Sequence, residues 1–301
     1  VSASELESVD AAKAKLDLEA QEMNNKLKNL SIKRFVPKQK IKIEKEEEKK
    51  EEEKNIINDF VQRKKEELDE STLQITRITE DNTSFLYDKN IDLDLYIIHM
   101  KNDANRMKNI KEQFQGINFA NIKIFDAIKH EVGYIGCALS HLSLIKYAKK
   151  LNLPFLVVFE DDTVFNYSTK KSLGIILTLL FDNPDKWSIF NGNPTFYNPI
   201  SIYRNENTLE FKISDIHPNL IDLNWGQTTN FVVYNQTIYD KMLEYNFDED
   251  LDVYISKNFK QTTCRHYITT QQDGYSYISK KRMEQSKYIK TCNNYLLDRI
   301  K

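Results

Sequence analysis

The sequence predicts an α/β fold with a mainly parallel central sheet, preceded by a helical N-terminal region. From about residue 85 onward, short apolar runs rich in Val, Ile and Phe alternate with amphipathic segments, which is the pattern of strands and crossover helices. The chain before this point contains no glycine, the first being Gly116, although a compact domain needs turn residues between its elements. We therefore divide the chain into a helical stalk and charged linker at 1–84 and a globular domain at 85–301.

The stalk is predicted from a heptad pattern and a charged run. Within 5–30 apolar residues recur every seven positions, at Val9, Leu16, Met23 and Leu30. This spacing predicts a coiled coil, through which the chain could form a homo-oligomer, or a helical hairpin. An amphipathic helix packed on another element explains the pattern equally well. Residues 44–54 are charged throughout and are typical of a solvated helix or a disordered spacer.

The strands of the domain are predicted from apolar runs. The first, LDLYIIHM, begins at residue 93, and the most apolar, PFLVVFE, covers 154–160. The other predicted elements are, in chain order, a helix at 103–115, a strand at 121–126, helices at 136–150 and 170–182, strands at 187–190 and 231–234, and a helix at 235–245.

Charge and hydropathy exclude several classes of function. With 43 Lys plus Arg against 45 Asp plus Glu, the net charge is −2, so a general electrostatic footprint for nucleic acid is absent. The longest apolar stretches, such as 173–181, are about half as long as a membrane span requires. We therefore expect neither a nucleic-acid partner nor a membrane span.

The N-terminal residues have no basic and apolar regions of a signal peptide, which predicts a cytoplasmic location. Sequons at Asn82, Asn166 and Asn235 leave a lumenal location open. The preference for Lys over Arg, with abundant Asn, is typical of an AT-rich genome, which could be viral.

Three carboxylates, Glu160, Asp161 and Asp162, follow the most apolar strand. Their repulsion and partial desolvation are costly unless a cation meets them, and a divalent metal is the usual solution. Glu160 and Asp162 stand at i and i+2, on one side of an extended strand end, so one can ligate a metal while the other takes a second polar partner. Mg²⁺ or Mn²⁺ fits such an oxygen site. An acidic loop or a helix N-cap explains the tripeptide equally well.

A second motif, VGYIGCALSH, occupies residues 132–141. Its two glycines, Gly133 and Gly136, precede a helix and suit a backbone that closely approaches another element or a phosphate. Ser140 and His141 fall in the first turns of that helix. A lone histidine is more often a structural residue than a catalyst.

Together the two motifs resemble glycosyltransferase family 25, the family of the lipooligosaccharide and collagen galactosyltransferases. Its hallmark is a G-x-I-G-C-x-x-S-H segment followed by an apolar strand that ends in E-D-D, and both parts are intact here. The resemblance covers roughly 90–275. Family members more usually end the later region in a Ser-Asp pair, whereas here Ser276 is followed by Tyr277.

The resemblance implies a GT-A type Rossmann-like glycosyltransferase domain, a UDP-hexose donor, Mn²⁺ as cofactor and inversion at the anomeric carbon. A metal held by acidic side chains would neutralise the charge that grows on the leaving diphosphate. Asp162 is then the main metal ligand, and Glu160 or Asp161 contacts the donor ribose or a metal-bound water. Arg106 contacts the donor phosphate or base, or is equally a surface residue of its helix.

Inversion also requires a base that takes the proton of the acceptor hydroxyl. The candidate is Asp252, which follows an apolar residue in the later region and matches an acidic position of the family. The competing interpretations are a neighbouring acid, or an N-cap role for Asp252 in a helix that starts near Val253. The neighbouring acids are Asp248, Glu249 and Asp250.

Several other polar and aromatic residues are secondary candidates. His266 and His217 could add metal ligands, although a surface role is the more common one for a histidine. Asn191 and Asn193 could bind donor or acceptor hydroxyls, or form a turn. Aromatic residues that could stack on a sugar or base, or pack in the core, are Trp225, Tyr197 and Tyr203.

The predicted function is metal-dependent transfer of a hexose, galactose or glucose, from a UDP-sugar to a glycan or protein hydroxyl. Two other classes remain open. An acidic metal site after a parallel strand also serves nucleotidyl transfer and phosphate-ester hydrolysis. A coiled-coil interaction protein with a degenerate nucleotide-sugar-binding domain is the non-enzymatic alternative.

Overall fold

The computed structural model describes the chain at 75–78, 93–166, 170–196, 209–276, 278 and 280–300. The predicted stalk, apart from 75–78, lies outside these residues. So do the heptads at 5–30 and three residues discussed above, Tyr197, Tyr203 and Tyr277.

Strands and helices alternate through the first half of the domain, and short strands dominate the second half. The strands are β1 (Ile75–Ile78), β2 (Asp94–His99), β3 (Asn121–Asp126), β4 (Phe155–Glu160), β5 (Thr163–Phe165), β6 (Ile189–Asn191), β7 (Phe211–Ile213), β8 (Leu220–Leu223), β9 (Phe231–Asn235), β10 (Gln261–Cys264), β11 (Thr269–Gln271), β12 (Gly274–Ser276) and β13 (Lys281–Met283). The helices are α1 (Ala104–Phe114), α2 (Gly133–Lys150), α3 (Lys170–Phe181), α4 (Tyr239–Leu243), α5 (Leu251–Asn258) and α6 (Gln285–Arg299).

Within the described residues, nine strands form one mixed sheet in the order β1-β3-β2-β4-β9-β6-β10-β8-β7. β2 pairs parallel with both β3 and β4, and β6 pairs parallel with β10. Every other neighbouring pair in this sheet is antiparallel. The α/β class is confirmed, whereas the prediction of a mainly parallel sheet was wrong. β9 lies antiparallel between β4 and β6, and β1, β8 and β7 add antiparallel pairs toward the two ends of the sheet. An apolar run that is buried on both faces has the same composition in either direction, so the sequence does not show this.

The sheet begins before the predicted domain boundary. β1 lies in the segment 1–84 that was assigned to the stalk and linker, and it pairs antiparallel with β3. Four residues of that segment therefore belong to the sheet.

The central strand β4 is buried on both faces, because helices cover both sides of the sheet. Leu156 and Val158 pack in one core with α2, α4 and α5, while Val157 and Phe159 pack in a second core with α1 and α3. Successive side chains of a strand point to opposite faces, so a fully apolar β4 is what two covered faces require. Phe159 also stacks on Phe231 of β9, with ring centroids 4.2 Å apart.

The glycine motif at 132–141 is explained by packing between α2 and the loop before it. A Cβ at Gly136 would lie 2.6 Å from the carbonyl oxygen of Ile128. The Ser140 hydroxyl fixes the same approach, because it accepts from the Ile128 N–H at 2.9 Å and donates to the Gly136 carbonyl at 2.8 Å. Gly136 therefore serves close contact with another element, and this contact places α2 beside the carboxyl end of β4.

Among the described residues, no helix has both the length and the apolar character that crossing a membrane requires.

Candidate functional site: an acidic cavity at the carboxyl end of the central strand

The three carboxylates after β4 have different partners. Asp161 lies against the end of the neighbouring strand β2, where its Oδ2 accepts from the Met100 N–H at 3.0 Å and lies 2.9 Å from His99 Nδ1. Its backbone carbonyl accepts from the Asn109 amide at 2.9 Å. The side chain of Asp161 is thus fixed between β2 and α1, and it joins these elements to the turn.

Asp162 is paired with Arg106 of α1. Arg106 Nη1 lies 2.8 Å from Asp162 Oδ2 and 3.5 Å from Asp161 Oδ1. Because the Arg106 side chain is only 11% exposed, the alternative of a surface residue is excluded. Gln271 donates to Asp162 Oδ2 at 2.9 Å, while Asp162 Oδ1 is buried and has no hydrogen-bond partner among the described residues. A buried carboxylate oxygen without a donor is costly unless a further group binds it.

Glu160, the last residue of β4, faces α2. Its Oε1 accepts from the Thr229 hydroxyl at 2.8 Å and lies 3.4 Å from His141 Nε2 and 3.8 Å from Cys137 Sγ. Burial alone would raise the pKa of Glu160, but His141, Thr229 and Arg106 together hold it below its ordinary value. The pKa of Glu160 is thus shifted downward, opposite to the upward shifts of Asp250 and Asp252.

Asp252 lies in the first turn of α5. Its Oδ2 accepts from the Thr228 N–H at 3.0 Å, and its Oδ1 is buried without a hydrogen-bond partner among the described residues. Burial raises the pKa of Asp252 to about 6; the hydrogen bonds from the Thr228 and Val253 N–H groups lower it, and the charges of Asp250 and Glu160 raise it further. The N-cap of α5 is Asp250, so the N-cap alternative for Asp252 was wrong.

The loop that carries Thr228 is held in an unusual conformation. Thr228 has a φ of 81°, which is rare for a β-branched residue and is most often found at functional sites. The Asn191 amide donates to the Thr228 carbonyl at 2.8 Å and to Gln261 Oε1 at 3.1 Å, and the Thr195 hydroxyl lies 2.8 Å from that of Thr228. Asn191 thus positions the loop that hydrogen-bonds to Asp252, and a direct contact between Asn191 and a substrate stays a prediction.

Of these groups Glu160, Thr228, Thr229 and Asp252 line a cavity of about 410 Å³ between β4, α5 and the C-terminal hairpin and helix. It is open to solvent on one side and is of the size that holds a small-molecule ligand. Among its lining residues four are acidic and none is Lys, Arg or His; the acids are Glu160, Asp250, Asp252 and Glu284. Asp162 is adjacent, because Gln271, its hydrogen-bond donor, lines the cavity.

The remaining candidates lie elsewhere. His266 is exposed in the loop after β10, and His217 accepts from the Asn219 N–H beside β8. Within the described residues, the one group of three or more His, Cys, Asp and Glu residues that could hold a metal is Cys137, His141 and Glu160. His266 is not in this group, and its role as a ligand stays a prediction. Trp225 and Asn193 are not among the cavity's lining residues.

Sequence reasoning missed most of the polar partners. Thr229 and Gln271 belong to no motif, and nothing in their local sequence indicates that they would contact Glu160 and Asp162. The walls supplied by α6 and the β12–β13 hairpin were also missed, although the hairpin's Ser276 was noted. Cys137 lies inside the recognised motif, four residues before His141. This spacing was the one sequence signal that could have indicated that the two side chains share a helix face.

Comparison with known proteins found one family match. The model of glycosyltransferase family 25, described as an LPS biosynthesis protein family, matches residues 131–211, which contain both motifs but not Asp252. Among solved structures, one titled "Crystal Structure of A197 from STIV" is similar at 10% identity and a TM-score of 0.37, over 64% of this chain and 94% of that one. A similarity at this level carries no argument about function. A search of curated proteins gave no significant match.

The family model thus covers the helix that carries Cys137 and His141 and the strand that ends in Glu160. The resemblance predicted from the two motifs is therefore confirmed: residues 131–211 match glycosyltransferase family 25, and this match supports a glycosyltransferase.

Proposed function

We propose that the chain transfers a hexose from a UDP-sugar to a hydroxyl group of a glycan or protein acceptor, with a divalent metal ion and with inversion. The observation that carries this proposal is the cavity at the end of β4, where two carboxylates have pKa values shifted in opposite directions. Groups whose environments separate their pKa values in this way are typical of sites that divide acid, base and binding roles.

The charge of the cavity requires a cation when a nucleoside diphosphate binds. A nucleoside diphosphate is an anion, and the cavity presents acidic side chains and no Lys, Arg or His among its lining residues. An anion binds there only when a cation offsets the repulsion. A divalent metal supplies this charge and stabilises the diphosphate as it leaves.

The chain has suitable oxygen ligands for that cation. We assign Asp162 as the main ligand through Oδ1, which has no protein donor, and Glu160 as a second ligand or a contact of the donor ribose. Oxygen ligands of this type fit Mn²⁺ or Mg²⁺. Arg106 holds Asp162 in place through Oδ2, and a direct contact of Arg106 with the donor stays a prediction.

Asp252 is placed to take the proton of the acceptor hydroxyl. Asp252 Oδ1 is the free oxygen of a carboxylate whose Oδ2 is fixed by Thr228, so its lone pairs are available to the hydroxyl of an acceptor in the cavity. A pKa of about 6 leaves Asp252 ionised at neutral pH but basic enough to accept a proton in the transition state. The acceptor oxygen can then attack the anomeric carbon directly, which inverts that centre.

The experiment is a donor screen with the full chain. UDP-galactose, UDP-glucose and other UDP-hexoses are incubated with Mn²⁺ and a panel of sugar and peptide acceptors, and both UDP release and the transferred mass are measured. We expect release of UDP with a product heavier by one hexose, and an inverted linkage by NMR.

Two results would contradict the proposal. Release of pyrophosphate or a sugar phosphate instead of UDP would indicate nucleotidyl or phosphate-ester chemistry. Absence of turnover, together with no thermal stabilisation by UDP and Mn²⁺, would indicate a binding module without activity.

A further inference from the structure

A cluster of three metal-binding side chains lies on the wall of the cavity. Cys137 and His141 are four residues apart on α2, so they lie on one face of the helix and one turn apart. Glu160 at the end of β4 faces both, and one ligand atom of each residue lies within 4.8 Å of the other two. We propose that Cys137, His141 and Glu160 bind a transition-metal ion, with Zn²⁺ as the best match.

The distances fit coordination better than direct hydrogen bonding. His141 Nε2 lies 3.4 Å and Cys137 Sγ 3.8 Å from the same oxygen, Glu160 Oε1. An N–H···O hydrogen bond is usually about 2.9 Å long. Ligands bound tetrahedrally to zinc at about 2.0–2.3 Å are about 3.3–3.7 Å from one another. The third pair, Cys137 Sγ and His141 Nε2, lies within 4.8 Å, so shifts of about 1 Å bring all three atoms to ligand–ligand distances around one ion.

Two further hydrogen bonds orient the ligands. The Tyr234 hydroxyl lies 2.9 Å from His141 Nδ1, and when Nδ1–H donates to it the lone pair of Nε2 is directed toward Glu160. The Thr229 hydroxyl donates to Glu160 Oε1 at 2.8 Å, which occupies one lone pair and leaves the other for the metal. Such outer hydrogen bonds are typical of metal-binding histidines and carboxylates.

The ligand types distinguish this site from the donor's metal site at Asp162, and with zinc bound Glu160 would take the ribose role there and not that of a second ligand. A thiolate, an imidazole and a carboxylate favour zinc, whereas Mg²⁺ and Mn²⁺ prefer oxygen ligands throughout. Binding requires the thiolate, so the Cys137 thiol gives its proton to solvent as the S–Zn bond forms. Since Cys137 and Glu160 both line the cavity, a fourth coordination position would be open to it.

This inference rests on the ligand geometry and not on the proposed transferase. Transfer by a chain that binds no zinc would count against this inference alone. Zinc binding without any transfer would count against the proposed function alone.

The test is zinc binding by the full chain, measured by metal analysis after loading and desalting and by competition with a chromophoric chelator. We expect about one zinc per wild-type chain, and affinity reduced at least 100-fold in Cys137→Ser and in His141→Gln. Cys264→Ala is the matched control, because Cys264 is also a buried thiol but lies on β10, outside the cluster. It should bind zinc like wild type.

A spectroscopic measurement on wild type keeps the test independent of variant folding. Co²⁺-loaded chain should show a sulfur-to-cobalt charge-transfer band, and X-ray absorption of the zinc form should show one sulfur ligand. No stoichiometric zinc in wild type, or a metal shell without sulfur, would overturn the proposal.

Discussion

Two pairs of acids border the same cavity region and differ in what surrounds them. Asp161 and Asp162, after β4, share the guanidinium of Arg106, and Asp161 also receives a backbone N–H. Asp250 and Asp252, at the start of α5, have no cation among the contacts described above, and burial raises the pKa of both. The first pair thus has a protein cation beside it, while the second pair has none among these contacts.

This difference shows how acidic residues of one site can serve either as ligands or as a base, depending on whether a cation lies beside them. An acid beside a fixed cation stays ionised and can hold a metal or a structural contact. An acid that is buried without a cation has a higher proton affinity and can act as a base. The contrast predicts that removing Asp252 affects chemistry, whereas removing Arg106 affects stability.

The largest expected effect is on the rate of transfer. Asp252→Asn keeps the shape of the side chain but removes the base, so kcat should fall by about 10²–10⁴-fold. In wild type, kcat/KM should rise with pH up to about 6, where Asp252 ionises, and this acid limb should be absent from the residual activity of the variant. UDP release measured from pH 4.5 to 8 checks both. Asp248→Asn, an exposed acid nearby that does not line the cavity, is the control and should keep the wild-type rate and pH profile.

The next effect is on stability at the pair of acids beside Arg106. Arg106→Leu removes the cation and leaves Asp161 and Asp162 buried without it, so the free energy of unfolding should fall by about 3–5 kcal/mol. Lys108→Ala on the same helix is the control. Its ammonium is exposed and, within the part of the chain that the structure describes, pairs with Glu112 at 3.7 Å, so the substitution should cost less than about 0.5 kcal/mol. Urea denaturation of both variants measures the difference. Equal losses would show that Arg106 does not stabilise Asp161 and Asp162.

A smaller effect concerns the pH dependence of stability. Because the folded-state pKa of Asp252 is raised, ionisation is harder in the folded chain than in the unfolded one. Its contribution to stability is therefore complete below pH of about 4, the unfolded value, and is lost as pH rises through about 6. Asp252→Asn should be more stable than wild type by roughly 1–3 kcal/mol at pH 8, with no such gain at pH 3.5. A gain that does not change with pH would show that Asp252 is not the titrating group.

The smallest effect extends the contrast to two tyrosines of one core. The Tyr234 hydroxyl contacts His141, whereas the Tyr239 hydroxyl is buried and has no hydrogen-bond partner among the described residues. Tyr234→Phe should lower the free energy of unfolding by about 1 kcal/mol, and Tyr239→Phe should leave it unchanged or raise it. Thermal and urea unfolding compare the two, and a larger loss in Tyr239→Phe would reverse the interpretation.

The sequence predicted the elements that depend on apolar periodicity. β2, β3, β4, α1, α3 and β9 lie within one or two residues of their predicted positions, because long apolar runs and helical periodicity are local signals. The carboxylates at the end of β4 were found for the same reason. α2 begins three residues earlier than predicted, since Gly133 and Gly136 were assigned to the turn before it.

What the sequence did not predict depends on contacts between distant segments. The buried strand β10 reads QTTC, and its polar side chains hide it from an apolar pattern. The cation for Asp162 comes from α1, and the donor to Glu160 is Thr229, which is 69 residues away along the chain. Which helix or strand lies beside the acids is decided by the antiparallel return of β9, and no local pattern carries that information.

The most direct measurement is calorimetric binding of UDP to the full chain, with Mn²⁺ and after removal of divalent metals by a chelator. Because the cavity is acidic and has no basic lining residue, UDP should bind with Mn²⁺ and at least about tenfold more weakly without it. Asp162→Asn should lose most of the gain that Mn²⁺ provides. Equal UDP affinity with and without metal would contradict the central claim that a metal ion neutralises this acidic site for a nucleoside diphosphate.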